Sequence, residues 1–461
     1  MTAIRLEPRV AGLRSRMRGE VLTPVDDSYE AARKVYNAAI DRRPAIIARC
    51  VDAADAIAAL RFAQENHLPL AVRGGGHSAP GSCTCDDGLV VDLSHMRSVR
   101  VDPQNQTVRA EGGCVWGDVD HATHAFGLAV PCGFVSTTGV GGLTLGGGIG
   151  YLTRRYGLTI DNLLGADVVL ADGSYVRASA DENPDLFWAL RGGGGNFGIV
   201  TSFLFRAHPV HTVYGGPIFW PLSNGAEVLS QWRDFILKAP EDLNGWFGFV
   251  TIPATPPFPE RYRGETMCVT TWCYTGDLSG AESALRPVRS FAPAAMDFCG
   301  PMAFPALQSM FDAVHPPGLH WYWKADFFRD LPEGAVDLHL RYARTLPSAH
   351  STMHLYPVNG AAHRAGRSET AFSFREANFA EVIVGVDSDG SSGERLREWA
   401  RSYWSALHPF SAGGAYVNMA MDEGEEFVRA AYRENYPRLA RIKDAYDSGN
   451  TFRINQNIEP A

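Results

Sequence analysis

The chain has 461 residues, of which 45% are hydrophobic and 20% are charged, a composition typical of soluble globular proteins. Its formal net charge of -9 at pH 7 argues against nucleic-acid binding, which would need a basic surface. No apolar stretch approaches the roughly 18 residues of a membrane-spanning helix, so we expect no contact with a membrane. Residues 1–20 contain five arginines and no apolar run long enough for a secretory signal, and we therefore expect a cytoplasmic protein.

The eight cysteines are scattered along the chain and do not form the pattern of a disulfide framework. Cys83 and Cys85 are too close together for a usual zinc knuckle, and no second pair follows at the spacing of a zinc finger. We expect no metal site, and we interpret most of the cysteines as ordinary core or surface residues.

The N-terminal part alternates between short predicted helices and strands. The second helix has Asp52 in position to cap its N-terminus. Such alternation is typical of an α+β domain. Apolar periodicity predicts helices at residues 29–40, 52–66 and 116–126, and strands at residues 44–50, 68–73, 88–93, 98–102 and 107–113.

Two glycine clusters, about 65 residues apart, stand out in this part of the chain. The first is Gly74-Gly75-Gly76, which His77 follows directly, and the second extends from residue 136 to residue 151. Because glycine lets the backbone approach a ligand and adopt positive φ, its N–H groups can surround an anion such as pyrophosphate. An imidazole beside such a site can coordinate, transfer a proton or form a covalent bond.

A third glycine cluster matches the pattern G-x-G-x-x-G at Gly193, Gly195 and Gly198. In a dinucleotide-binding fold this pattern follows a strand and opens a helix. Here it follows a helix predicted at residues 183–191 and precedes a strand predicted at residues 199–207. No acidic residue lies about 20 positions further on to bind a ribose, so we reject that fold. A hairpin at residues 164–176 precedes this region.

The composition changes after about residue 209, where glycine clusters become rare. The pattern indicates an antiparallel sheet backed by helices. Trp321-Tyr322-Trp323 suits the lining of a pocket for an organic substrate, and core packing is the alternative. The predicted strands lie at residues 269–274, 353–356 and 382–386, and the helices at residues 226–237, 279–292, 393–405, 425–432 and 436–445.

Four motifs in order resemble the berberine bridge enzyme-like FAD-linked oxidases of the vanillyl-alcohol oxidase superfamily. The resemblance extends from about residue 44 to the C-terminal tail. It implies an α+β fold in which a two-part FAD-binding domain of the PCMH type carries an inserted substrate domain of antiparallel sheet backed by helices. We expect the FAD-binding parts at residues 1–210 and 416–461 and the substrate domain at residues 211–415. The motifs are Arg73-Gly-Gly-Gly-His-Ser, Thr138-Gly-Val-Gly-Gly with Gly146-Gly-Gly-Ile-Gly-Tyr, Gly193-Gly-Gly-Asn-Phe-Gly-Ile-Val, and Asn450-Thr-Phe-Arg-Ile-Asn-Gln-Asn-Ile.

The resemblance implies FAD held by a covalent 8α bond to His77. Histidines without this context, namely His121, His124 and His354, we interpret as structural. The residues expected to bind FAD are Arg73, Gly74, Gly75, Gly76, His77, Ser78, Thr137, Thr138, Gly139, Gly141, Gly142, Gly146, Gly147, Gly148, Gly150, Tyr151, Gly198, Ile199, Val200, Asn455 and Asn457.

Many members of the family attach the flavin a second time, through the cysteine of Cys-Pro-Thr-Val-Gly. Alignment of Thr137-Thr138-Gly139 on that motif puts Val135 at the position of the cysteine. Cys132 lies three residues earlier, a displacement of several ångströms along a loop. We therefore expect a single covalent bond, and a slipped loop that brings Cys132 to the flavin is the alternative.

The implied reaction is hydride transfer from a substrate C–H to flavin N5, while a base removes a proton and O₂ is reduced to H₂O₂. Thr138 stands where the family has an oxygen gate, and its size, close to that of valine, favours an oxidase. The family's catalytic Tyr-x-Asn-Tyr motif is Tyr416-Val-Asn-Met in this chain, so Met419 replaces the basic tyrosine. Tyr416 and Asn418 remain catalytic candidates.

Glu381 is the other candidate base, because a buried carboxylate on an apolar strand would have a raised pKa; a solvated strand end is the alternative. The expected partners are O₂ and a small molecule, either a secondary metabolite, an amine, an alcohol or a sugar. An FAD-binding protein with dehydrogenase-only or little activity, acting mainly in ligand binding, is the alternative function. The oligomeric state stays open.

Overall fold

The computed structural model of the protein describes residues 7–414 and 416–461. It confirms an α+β fold, in which one sheet is mostly parallel, the other sheets are antiparallel, and helices pack against the sheets. The helices are Glu7–Arg16, Tyr29–Ala32, Ala53–Glu65, Trp116–His124, Val140–Gly146, Thr153–Tyr156, Pro184–Leu190, Gly225–Ile236, Ala281–Arg289, Phe304–Gln308, Glu333–Ala343, Gly393–Leu407, Glu425–Tyr432 and Tyr436–Asp447.

Two larger sheets and one two-stranded sheet, formed by Leu128–Ala129 and His208–Pro209, belong to the N-terminal part of the chain. A four-stranded sheet has three parallel strands and one antiparallel edge strand, and its last strand, Leu70–Arg73, leads directly into the first glycine cluster. A five-stranded antiparallel sheet packs beside it and contains the confirmed hairpin. In spatial order the strands are Val21–Leu22, Ile46–Arg49, Leu89–Asp92 and Leu70–Arg73, and then Val99–Asp102, Thr107–Glu111, Ile199–Arg206, Leu163–Val169 and Tyr175–Ser179.

A large eight-stranded antiparallel sheet follows in the chain. Four of the helices, including Glu333–Ala343 and Gly393–Leu407, cover one face, and the glycine-rich segments lie against the other. In spatial order the strands are Met296–Asp297, Thr212–Pro221, Thr266–Tyr274, Leu243–Thr251, Thr352–Pro357, Phe379–Asp387 and His320–Phe328, with Gly300–Ala303 also paired to Thr212–Pro221.

The helix predicted at residues 29–40 is wrong beyond Ala32, where the observed helix ends. Beyond it the backbone finds partners outside the helix: the Tyr36 N–H donates to the Gly76 carbonyl (3.1 Å), and the Ala38 N–H donates to the Leu319 carbonyl (2.9 Å). Tertiary contacts therefore override the local helical pattern. As a result, Tyr36 lies between the first glycine cluster and the large sheet.

The C-terminal segment returns to the third glycine cluster. Lys443 is fully buried, and its ammonium donates to the Asn196 carbonyl (2.8 Å), the Asp447 carboxylate (2.6 Å) and the Phe452 carbonyl (3.1 Å). The Ile458 N–H donates to the Asn196 side chain (2.9 Å). The tail is thereby held beside the glycine-rich segments.

Candidate active site

A cavity of about 380 Å³ lies between the glycine clusters and the large sheet. Residues of all three glycine clusters and of the tail line one end, which we call the glycine end. Strands of the large sheet and the residues before them line the other, which we call the sheet end. The glycine end includes Gly74–Ser78, Thr138, Gly139, Gly141, Gly142, Gly194–Asn196, Gly198, Val200 and Asn455, and the sheet end includes His315, Trp321, Trp323, Thr352, His354, Tyr356, Val382 and Val384.

The glycine end offers backbone donors and open space. In the described part of the chain, the N–H groups of Gly75, Gly76, His77 and Ser78 have no hydrogen-bond acceptor. A Cβ built on Gly76 or Gly142 would meet no atom within 4 Å apart from its own chain neighbours and local helix backbone, and both glycines line the cavity. Such an array of free N–H groups suits an anionic group, as pyrophosphate is.

Other glycines permit the close approach of the two clusters. A Cβ on Gly75 would lie 2.5 Å from the Gly139 Cα, and one on Gly139 would lie 2.6 Å from the Gly75 nitrogen. Only residues without a side chain allow this contact. The contact holds the first and second glycine clusters at the same side of the cavity.

His77 lies where the glycine end meets the sheet end. Its Nε2 is 3.0 Å from the Thr137 hydroxyl, and its ring stacks on Tyr36 with 3.8 Å between centroids. Tyr36 in turn stacks on Trp321 of the large sheet (5.4 Å). Burial lowers the pKa of His77 to about 4, so its imidazole is neutral at pH 7 and keeps a nucleophilic lone pair.

The sheet end is aromatic and uncharged. Among the described residues that line the cavity, none is Asp, Glu, Lys or Arg. Burial lowers the pKa of both His315 and His354 to values far below 7. The indole N–H groups of Trp321 and Trp323 have no partner among the described residues. The cavity therefore suits a neutral aromatic molecule that can accept a few hydrogen bonds.

Tyr416 and Asn418 both line the cavity. The Tyr416 hydroxyl accepts from the Gly148 N–H (2.7 Å) and from the Asn418 amide (2.9 Å), and the same amide donates to the Leu143 carbonyl (2.9 Å). Burial raises the pKa of Tyr416 to about 12. Because its oxygen already accepts two hydrogen bonds, Tyr416 chiefly attaches the tail to the second glycine cluster.

Glu381 does not reach the cavity, which corrects the expectation that it is a catalytic base. Side chains alternate along the strand Phe379–Asp387, so Val382 and Val384 face the cavity while Glu381 faces the helices. There its carboxylate lies 3.6 Å from His339 and is completely buried. Of the two alternatives, a buried carboxylate and a solvated strand end, the first is observed, but the carboxylate is buried on the helical face of the sheet.

Several residues expected to bind FAD lie behind the cavity lining instead. Gly146 packs on Asn418, Gly148 bonds to Tyr416, and Gly150 packs on the Cys132 carbonyl. Close packing against other protein atoms is therefore enough to require glycine at these three positions. The residues of this group that do not line the cavity are Arg73, Thr137, Gly146, Gly147, Gly148, Gly150, Tyr151, Ile199 and Asn457.

Val135 and Thr138 line the cavity, whereas Cys132 does not. The Cys132 thiol is buried in the core of the N-terminal part, where the Gln308 amide donates to it (3.0 Å). Burial raises the pKa of this thiol well above its usual value. The placement agrees with the alignment that puts Val135 at the position of the family's cysteine.

Sequence reasoning missed several residues of the sheet end. His354 was interpreted as structural, yet it lines the cavity together with Thr352 and Tyr356. His354 and Tyr356 alternate along the strand predicted at residues 353–356, and Thr352 directly precedes it, so an extended chain predicts that the three share one face. Tyr36 and Phe134, which also line the cavity, lie in irregular segments, and Tyr36 was predicted to be part of a helix.

The residues present fit a flavin dinucleotide. The glycine end supplies free N–H groups for a pyrophosphate, and the uncharged centre of the cavity suits a flat ring system. Two further buried polar atoms that line the cavity, the Tyr432 hydroxyl and the Asn455 side-chain oxygen, have no partner among the described residues and are available to the polar parts of such a ligand.

Residues 7–414 and 416–461 contain no group of three or more His, Cys, Asp or Glu side chains that could hold a metal ion. Within the same residues, every helix is too short or too polar to span a bilayer.

Comparisons with known proteins agree with this site. Residues 44–179 match the family described as "FAD binding domain", and residues 415–459 match "Berberine and berberine like". The chain is 30% identical over 455 residues to the uncharacterized FAD-linked oxidoreductase YgaK of Bacillus subtilis strain 168, covering 97% of this chain and 98% of that protein.

Two further comparisons concern enzymes of known reaction. The chain is 29% identical over 460 residues to (R)-6-hydroxynicotine oxidase of Paenarthrobacter nicotinovorans, covering 96% of this chain and 97% of that enzyme. The crystal structure of 6-hydroxy-D-nicotine oxidase from Arthrobacter nicotinovorans superposes with a TM-score of 0.86 at 27% identity, covering 96% of this chain and 98% of the other. The chain therefore belongs to the berberine bridge enzyme-like family of FAD-linked oxidoreductases.

Proposed function

We propose that this enzyme oxidises a small, uncharged, predominantly aromatic amine or alcohol, with O₂ as the acceptor and H₂O₂ as the product. The observation that carries the proposal is the cavity, which connects the glycine end to an aromatic sheet end without a charged side chain. In this proposal residues 1–210 and 416–461 hold FAD, and residues 211–415 present the substrate.

Because the described lining of the cavity has no charged side chain, we expect the bound substrate to be uncharged. A charged group moved into this cavity would lose its hydration without gaining a counter-ion, which costs several kcal/mol. An amine must therefore bind as its free base. The Trp321 and Trp323 rings and the Val382 and Val384 side chains offer contacts to an aromatic or aliphatic skeleton.

An oligosaccharide is the less favoured substrate. Sugar hydroxyls require many polar partners. Thr352, His354 and Tyr356 of the central strand use their donor groups within the protein, which leaves a sugar few partners there. This shortage of polar partners favours an aromatic molecule, because an aromatic ring needs few hydrogen bonds.

FAD is attached in this proposal by one covalent bond, to His77. Support comes from the neutral imidazole at the junction of the two ends and from the burial of Cys132 outside the cavity. Bound FAD supplies the hydride acceptor of the reaction. His77, Thr137 and Tyr36 orient the attachment point, and the free N–H groups of the first glycine cluster hold the phosphates.

Thr138 supports oxidase chemistry. It lines the cavity, and its small side chain leaves room for O₂ where a leucine or isoleucine would fill the space. We therefore include O₂ as a substrate.

The test is peroxide-forming turnover on a matched panel. An aromatic amine, an aromatic alcohol and 6-hydroxynicotine are each compared with a carboxylated analogue, and a short oligosaccharide completes the panel. We expect turnover only with uncharged aromatic compounds, with one H₂O₂ per substrate. Preference for the carboxylated or sugar compounds would contradict the substrate class. Flavin that is reduced but reacts slowly with O₂ would identify a dehydrogenase, and flavin that no compound reduces would favour a ligand-binding protein.

A further inference from the structure

Three polar residues form a hydrogen-bonded row on the cavity face of the strand Thr352–Pro357. The Thr352 hydroxyl lies 2.9 Å from His354 Nε2, and His354 Nδ1 lies 2.7 Å from the Tyr356 hydroxyl. All three side chains line the cavity. The row connects the substrate region to the backbone of the neighbouring strand.

The direction of each hydrogen bond follows from the end of the row. The Thr352 hydroxyl donates its only proton to the Phe249 carbonyl (2.7 Å), so it must accept from His354 Nε2–H. A neutral imidazole that is protonated at Nε2 has its lone pair at Nδ1. Nδ1 therefore accepts the Tyr356 O–H, and a phenol is paired with a base.

Tyr356 is held rigidly and keeps its oxygen lone pairs available. Its ring stacks on Phe134, with 4.3 Å between centroids, and the His354 ring packs against Trp246 (4.6 Å). No described residue donates a hydrogen bond to the Tyr356 oxygen. A substrate O–H or N–H is the donor that this oxygen can accept.

The other titratable groups facing the row are His315 and Tyr151. Burial, with a smaller contribution from His315, lowers the pKa of His354 to about 3. Burial, with a smaller contribution from Tyr151, raises the pKa of Tyr356. At rest His354 is neutral and Tyr356 is protonated, which is the state in which a proton can enter the row.

Resting on the oxidation proposed above, we propose that Tyr356 is the catalytic residue that accepts the substrate's O–H or N–H proton as it passes its own proton to His354. Thr352 is a positioning residue, because it fixes the tautomer of His354. Tyr416 is less suited, since its oxygen already accepts two hydrogen bonds and no histidine contacts it. Glu381 lies on the opposite face of the sheet.

The proposed oxidation removes a hydride and a proton from the substrate. The substrate C–H bond breaks, its electron pair leaves with the hydrogen to FAD, and a C=O or C=N bond forms. The proton on the substrate oxygen or nitrogen moves to Tyr356, and the Tyr356 proton moves to His354 Nδ1. O₂ then takes up the two electrons, the hydride-derived proton and the proton held on His354, which gives H₂O₂ and restores the row.

The first test examines the row without any turnover. In protein labelled with ¹⁵N-histidine, the His354 signals are assigned by their loss in His354→Gln. We expect neutral imidazole protonated at Nε2 between about pH 6 and about pH 9, and a shifted Nδ1 resonance in Tyr356→Phe. A proton on Nδ1, or an Nδ1 resonance indifferent to Tyr356→Phe, would overturn the proposal.

The second test is anaerobic flavin reduction by a compound that reduces the wild-type enzyme and carries an O–H or N–H group on the carbon that is oxidised. Tyr356→Phe and His354→Gln should slow reduction about hundredfold or more, with little change in substrate dissociation constant. Thr352→Val should slow it about tenfold, because the tautomer is no longer imposed, and Thr352→Ser should restore it. Tyr322→Phe is the matched control, since Tyr322 lies on the same sheet but contacts Arg401 on the helical side.

The outcomes separate the two proposals. If no compound reduces wild-type flavin, the proposed function fails. The ¹⁵N signals alone then decide whether the hydrogen bonds of the row have the stated directions. If wild-type flavin is reduced and Tyr356→Phe reacts at the wild-type rate, the row is not the proton acceptor, although the oxidase stands.

Discussion

Among single residues, His77 has the most specific environment. It follows three consecutive glycines, bonds to Thr137 and is stacked on Tyr36. Its lowered pKa keeps the imidazole neutral, and a neutral imidazole is required for a bond from nitrogen to carbon. The stacking continues from Tyr36 to Trp321 and so links His77 to the large sheet.

His77→Ala should abolish covalent flavin. After acid denaturation we expect flavin in the pellet of wild type and of Cys132→Ala, and in the supernatant of His77→Ala. The reason is that Cys132 is buried outside the cavity lining. Flavin that remains attached in His77→Ala but not in the double variant would show that Cys132 reaches the ring and would contradict the single bond.

Glu381 makes stability depend on pH. Burial, together with the charge of Asp326, raises the pKa of Glu381 well above the ordinary value near 4.3 of an unfolded chain. The folded state therefore binds the Glu381 proton more tightly than the unfolded state does. The stabilisation that comes from this proton binding is lost as pH rises from about 4.3 through the raised pKa. Because glutamine does not titrate, Glu381→Gln does not lose stability in this way as pH rises.

The stability of Glu381→Gln relative to wild type should thus increase with pH. Urea unfolding between about pH 5 and about pH 9 measures the difference in free energy. Flavin reduction should be unaffected, because Glu381 faces His339 on the helical side of the sheet. A difference that is constant with pH, or a variant that loses flavin reduction, would contradict this placement.

At the scale of elements, the glycine clusters serve two separate purposes. Gly142 faces open space in the cavity, whereas Gly75 touches the backbone of Gly139. Gly142→Leu should therefore weaken FAD retention at least about tenfold while the chain still folds, since the new side chain occupies the cavity. Gly75→Ala should destabilise the fold itself.

FAD content per purified chain and circular dichroism measure the two effects. Gly12→Leu is the control for Gly142→Leu, because Gly12 is also helical but lies far from the cavity lining. Normal FAD content in Gly142→Leu would mean that the second glycine cluster does not face the cofactor.

The tail depends on a buried ammonium. Lys443→Met would remove three hydrogen bonds and leave the Asp447 carboxylate buried without its cation, which costs about 3–5 kcal/mol. Lys34→Met, at an exposed position, is the control and should change the unfolding free energy by less than about 0.5 kcal/mol. An equal effect of the two substitutions in urea unfolding would show that the tail is not anchored through Lys443.

At the scale of the whole molecule, periodicity predicted the regular elements well. The helix Ala53–Glu65 with its Asp52 cap and the strand Phe379–Asp387 were both expected near their observed positions. The helix over residues 29–40 was wrong beyond Ala32, because contacts with Gly76 and Leu319, distant in sequence, compete for the backbone. Local patterns cannot represent such competition.

The site could be predicted only in part. His77 and the first glycine cluster follow from motifs, since a cofactor imposes fixed local spacing. Glu381 was misplaced because a one-residue difference in a strand reverses the face that a side chain occupies. His354 was overlooked although its alternation with Thr352 and Tyr356 identified a shared face, because nothing local shows which face meets the cavity.

The most direct measurement of the central claim is anaerobic addition of a matched pair of aromatic amines, one neutral and one carboxylated, to the purified enzyme, followed by O₂. We predict that the neutral compound bleaches the flavin absorbance, that the carboxylated compound leaves it unchanged, and that O₂ restores it with one H₂O₂ per flavin. Bleaching by the carboxylated compound alone would contradict an uncharged substrate site. Bleaching that O₂ does not reverse would contradict an oxidase.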